Sequence, residues 1–158
     1  MELKCKINGL DELIDEMTAR QDEIGDLFEE MLEAGAEEVK QCWRDAVDQH
    51  GHKLTGQMYD AIDYTIKPET PDGIKRAFIY PQGSQTETVI PDPYKTNAWR
   101  WVKRSKPIRR AEIAFIIHYG TEKVAGSHFV NTVDNLVEVR VPEKLIPMWE
   151  QWLEGKRR

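Results

Sequence analysis

Apolar residues recur at helical spacing through Ile24, Leu27, Phe28, Met31, Leu32, Val39, Trp43, Ala46 and Val47, which predicts a long amphipathic helix over Asp22–Gln49. Acids crowd its first half and Lys40 and Arg44 come later, an order that suits the helix dipole. Gly35 in its middle costs about 1 kcal/mol relative to Ala. Gly51, between His50 and His52, is placed to cap its end. Leu10 to Met17 shows helical spacing of its own. Glu2 to Ile7 alternates polar and apolar as a half-buried strand does, and Asn8-Gly9 ends it.

Beyond the long helix, Thr55 can cap a short helix carrying Met58, Ala61 and Ile62. Tyr64–Lys67 and Ala77–Tyr80 are strand-like, and Pro71-Asp72-Gly73 between them is a turn signal, so a hairpin is expected. Pro81 to Tyr94 has Gly83, Ser84, Pro91 and Pro93 and no periodicity; it reads as a long loop at about 81–98. Ile113 to Ile117 is apolar without a break. Ala111, Ala114, Phe115 and His118 share one helical face, Pro107 sits upstream and Gly120 is placed as a left-handed cap. With Ile113, Ile116 and Ile117 on the other faces, the expectation is a short helix buried nearly all round, a dry central rod for the domain. Phe129, Val133, Leu136 and Val137 are helical, 137–141 reads as helix or strand, and Pro142 should kink or break the chain before a last helix with Leu145, Met148, Trp149, Trp152 and Leu153. The fold class expected is α+β, a small mostly antiparallel sheet packed against a long helix, with C-terminal helices, in a single domain.

Charge changes the picture more than composition does. The net charge is −6, yet residues 1–50 hold fifteen acids and five bases, while residues 95–110 hold seven bases and no acid. Such segregation suggests two complementary surfaces. Cys5 and Cys42 match no metal spacing and read as free thiols. No stretch of ~18 apolar residues is present to span a membrane, and no signal peptide is evident.

The run Arg109-Arg110-Ala111-Glu112-Ile113-Ala114-Phe115-Ile116-Ile117-His118-Tyr119-Gly120-Thr121, followed by Ser127-His128-Phe129-Val130, resembles the phage head–tail joining, tail-completion (neck) proteins named after gene product ten of phage HK-ninety-seven. Leu54-Thr55-Gly56-Gln57-Met58 looks like that family's Thr-Gly turn. The residues carrying the resemblance are Thr55, Gly56, Ala111, Ala114, Phe115, Tyr119, Gly120, Thr121 and Phe129. His128 stands where the family usually has Pro, and His118 where it often has an acid. The resemblance implies a structural protein of the virion that forms a ring, commonly a hexamer, and contacts connector and tail-tube proteins, with DNA passing through unread. It implies no catalysis, no cofactor and no membrane partner. The surfaces expected to make contacts are Trp99, Arg100, Trp101, Lys103, Arg104, Arg109 and Arg110 on the basic side, and Glu29, Glu30 and Glu33 on the acidic side. Acids lining a ring would also repel the DNA sliding through it.

Two rivals remain at this stage. Bases interleaved with Trp99 and Trp101 in segment 95–110 suit single-stranded nucleic acid, where cations meet phosphates and rings stack on bases. His50, His52 and His118 would be the ligands of a metal-dependent enzyme, although no motif positions a nucleophile beside them.

Overall fold

In the computed structural model, which describes residues 10–51, 56–68, 74–91, 99–122 and 124–156, the two predicted N-terminal helices are one: α1 runs unbroken over Leu10–Gln49. Thr18-Ala19-Arg20-Gln21 between them contains no breaker, so nothing stops the helix from propagating. At 1.5 Å per residue α1 is roughly 60 Å long. The strand expected over Glu2–Ile7 and the cap expected from Thr55 lie outside the described residues.

The second long element is α4 (Phe129–Lys156), antiparallel to α1. The pairing is read from its contacts: Trp43 meets Phe129 edge-on at 5.7 Å, Asp45 pairs with Arg140, and Phe28 stacks on Trp149 at 6.2 Å. Residues 137–141 are helical, and of the kink or break expected at Pro142 the break does not occur, so one C-terminal helix replaces the several expected. A proline removes one backbone donor and crowds one carbonyl. Here the Arg140–Asp45 pair on one side, and Leu145 against Gly35 on the other, hold both halves to α1.

A short helix, α2 (Gln57–Asp60), starts at Gly56, whose φ of 70° is left-handed and explains the glycine. Ile62, expected in that helix, instead opens a strand. β1 (Ile62–Lys67) and β2 (Arg76–Pro81) form the predicted antiparallel hairpin, with Tyr64 opposite Ile79 and Thr65 opposite Phe78. It packs on α1.

The loop expected at about 81–98 is corrected over its described part, 81–91; residues 92–98 lie outside the described residues. Ser84–Pro91 is a strand, β3, paired antiparallel with β4 (Trp99–Arg109), so the basic segment is half of a second hairpin. Gln85 pairs with Ile108 but Glu87 with Lys103, so residues 104–107 of β4 bulge opposite Thr86 alone. Pro107, which cannot donate to a ladder, falls in that bulge. A third pair, β5 (Gly120–Thr121) and β6 (Val124–Ala125), is minimal. Among the described residues the strands form three separate two-stranded sheets, and the class is α+β.

Between β4 and β5 lies α3 (Arg110–Tyr119). The expected helix is present, but the burial nearly all round expected for it is corrected: Ala114 and His118 are buried, while Phe115 is 63% and Tyr119 60% exposed. Ten residues of helix can lean on the body along one side only, and among the described residues no element covers the other. The core joins Cys42, Ala46 and Val47 of α1 to Met58, Ile62, Ala114, Phe129 and Val133. It sits where four elements converge on the C-terminal half of α1.

Candidate assembly interface

The residues of the recognised run form a junction between two helices. At the C-terminus of α3, the Gly120 N–H bonds Ile116 O, Ser127 N–H bonds Ile117 O at 2.9 Å, and His128 N–H bonds His118 O at 3.0 Å. The Ser127 hydroxyl donates to Ile117 O as well, at 3.1 Å. Carbonyls that a helix end leaves orphaned are thus met by chain from beyond the β5–β6 hairpin. In return, His118 Nδ1 accepts the Val130 N–H at 3.3 Å, serving as a side-chain cap for α4 supplied by α3. An accepting Nδ1 requires the ring proton on Nε2. Phe129, fully buried, packs 6.0 Å from the His118 ring.

Gly126 was not singled out from sequence, and His128 was noted only as standing where the resembling family usually has Pro. A Cβ on Gly126 would lie 2.3 Å from His118 O, so only glycine fits against the end of α3. His128 holds φ at 54°, a conformation uncommon outside glycine. A Gly-Ser-x step just ahead of an apolar helical pattern was the available signal for both. Gly120 does have positive φ, but its ψ of −167° leads into β5 rather than a left-handed cap. Ala111 is half-buried and Thr121 exposed.

The β3–β4 hairpin is a different kind of feature. Outside its own ladder its main contact is with α3. Its root is tied by Arg110 N–H to Gly83 O at 3.0 Å and by the Arg110 guanidinium to Gln82 O at 3.1 Å. Beside that root is an open cleft of about 290 Å³ lined by Ser84, Gln85, Thr86, Glu87, Pro107 and Arg110. Lys103, Lys106 and Arg109 are exposed along β4, while Arg110 is half-buried and engaged. The backbone of Trp99, Arg100, Trp101 and Arg104 belongs to the same strand.

On α1, Glu29, Glu30 and Glu33 are all exposed. Glu29 pairs with Lys75, just ahead of β2. Glu33 lies three positions after Glu30 and four after Glu29, so the three acids share one side of α1. α3 packs on α1 near Cys42 and Ala46; residues 29–33 lie nine or more positions earlier, roughly 14 to 25 Å along the helix. The acidic and basic surfaces are therefore separate on one chain.

Of the histidines proposed as metal ligands, His50 sits 2.8 Å from the Thr132 hydroxyl, His118 is committed to Val130, and His52 lies outside the described residues. Among the described residues, no group of three or more His, Cys, Asp or Glu side chains is arranged to hold a metal ion. Cys42 is a buried free thiol. Burial pushes its pKa up, Arg140 opposes this, and Glu38 and Asp45 add to it. No helix among the described residues is long and apolar enough to cross a membrane.

No family model, characterised protein or solved structure matches the chain.

Proposed function

We propose that this chain is a structural protein of a tailed phage or prophage, acting in head–tail joining or tail completion. It works without catalysis, by assembling into a ring and by contacting adjacent connector and tail-tube proteins. It is made in the host cytoplasm and ends in the neck of the virion. The observation that carries the reading is the β3–β4 hairpin. A two-stranded ribbon has little stability by itself in water, yet this one meets the body chiefly at its root and carries exposed bases. The exposed acids of α1 offer surface of opposite sign. A part with one charged patch of each sign on separate surfaces is suited to head-to-tail association, which closes into a ring when the rotation permits.

The test is mass and shape in solution. Light scattering and electron microscopy of the purified chain, alone and mixed with the connector and tail-tube proteins encoded beside it, should give closed rings with a central opening. A chain that stays monomeric and binds neither partner refutes the proposal.

The exposure of Lys103, Lys106 and Arg109 along one ribbon also favours a second reading, a nucleic-acid-binding module. That reading requires Trp fluorescence to change on titration with single-stranded DNA, and binding to weaken steeply as salt rises.

A further inference from the structure

The outer face of α3 is apolar, open to solvent and bounded by one charge of each sign. Phe115, Ile116 and Tyr119 are 63%, 40% and 60% exposed, and the Phe115 and Tyr119 rings lie 4.5 Å apart. Glu112, also exposed, completes the stripe, since positions 112, 115, 116 and 119 share one side of a helix. Ala114 and His118 turn to the body instead. Arg109 is exposed at the N-cap, and Glu122 is exposed just past the C-terminal Gly120. The order of these residues is its own complement. Arg109 with Glu122, Glu112 with Tyr119, and Phe115 with Ile116 are three pairs sharing one centre, midway between Phe115 and Ile116. Among the described residues, the elements that pack on α3 leave this face open.

We propose that α3 pairs with α3 of a second copy of this chain, antiparallel, about a twofold axis passing between Phe115 and Ile116. In that register Phe115 of each copy lies against Ile116 of the other. The Tyr119 hydroxyl of each donates to the Glu112 carboxylate of the other, and Arg109 meets Glu122 at both ends. The anatomy is that of an interface, with aromatic anchors at the centre and charge at the rim. A parallel arrangement sets Arg109 against Arg109 and Glu112 against Glu112, so like charges oppose it. Antiparallel helices also place the ends of one dipole beside the opposite ends of the other. A twofold contact uses the same patch on both copies and closes at two. It is therefore separate from the head-to-tail contact proposed above: it joins two free subunits, or two rings back to back. An aromatic side chain buries about 150–250 Å² when fully covered. Two half-exposed aromatics and Ile116 on each copy thus bury less than the ~1,200 Å² of a stable complex. Pairing of free subunits is accordingly expected at roughly 100 μM, and pairing of rings at lower concentration, because the contact then repeats around the ring.

Sedimentation of the purified chain up to about 500 μM tests it, a range that populates even a weak pair. The mass of the smallest species, subunit or ring, should double as concentration rises and then stop. Phe115→Ser with Tyr119→Ser should abolish the doubling; both side chains are exposed, so circular dichroism should keep the wild-type helical signal. Arg109→Glu alone and Glu122→Arg alone should each weaken the doubling at least about five-fold, since like charges then meet at both ends of the contact. The chain carrying both reversals should pair again with itself, because the swap restores both ends. Doubling that survives the Phe115 and Tyr119 changes, or a double reversal that does not recover, overturns the contact. So does a wild-type mass that never doubles, or one that grows past a doubling through this face. A single ring with no doubling sinks the α3 pair and leaves the ring reading standing, while a pair of subunits that never forms rings upholds the α3 pair and counts against the ring.

Discussion

Gly35 shows how one residue can be read correctly for its cost and missed for its setting. Its position in a helix is legible from sequence, and so is the penalty. The burial under α4 is not, because nothing in the sequence says which turn of α1 the second helix crosses. A Cβ added there would lie 3.6 Å from Leu145 Cδ1 and 3.9 Å from Val141 Cγ1, ordinary contacts without overlap. Gly35→Ala should therefore stabilise the protein by about 1 kcal/mol. The urea midpoint should rise at constant slope. Cys42 yields a prediction with a definite sign. Its folded-state pKa lies above the ordinary 9.0, chiefly through burial. Below that value both folded and unfolded chains hold the proton and stability does not change. Above it the unfolded chain releases the proton first, so stability falls as pH rises toward the folded value. Denaturation midpoints measured at pH 7 and pH 10 should fall more steeply for wild type than for Cys42→Ala. His118 is a structural, hydrogen-bonded residue, its ring accepting the Val130 N–H.

Elements were legible where burial imposed a period. The stripe of α1 and the alternation of β1 and β2 face the core, and both were readable. β3 was not: Ser84-Gln85-Thr86-Glu87 stands off the body, so no core selects apolar residues at alternate positions. The β-branched run Thr86, Thr88, Val89 and Ile90 was the remaining signal. In α3 the error ran the other way. An unbroken apolar run was taken to mean burial on every side, whereas Phe115 and Tyr119 are open to solvent in the single chain. For α4, proline chemistry argued for a break that packing overrides. The local cost should nevertheless be present. Pro142 is exposed within a continuous helix. Pro142→Ala restores a donor toward the Glu138 carbonyl and relieves the ring, while loosening the unfolded chain by up to about 1 kcal/mol. A net gain of about 2 kcal/mol is expected, seen as a higher melting temperature with unchanged helical content.

At the scale of the whole molecule, a helical body and a projecting ribbon divide the labour. The body holds the core; the ribbon adds surface. The two ends of the ribbon meet at its root, where Arg110 N–H reaches Gly83 O at 3.0 Å. Replacing residues 84–108 with a short Gly-Ser turn should therefore leave cooperative unfolding and most helical dichroism intact, while head-to-tail association is lost. Loss of cooperativity would show that the ribbon belongs to the core. Charge segregation, the basis of this division, was visible in the sequence; the distance between the two surfaces was not, because it depends on how far α1 runs. The junction of α3 with α4 carries a further consequence. Each helix end supplies bonds that the other lacks, so neither can fray alone without exposing unpaired groups in both. The amides of Ser127, His128 and Val130 should then exchange with deuterium at one common rate, opening as a single unit with the last turn of α3.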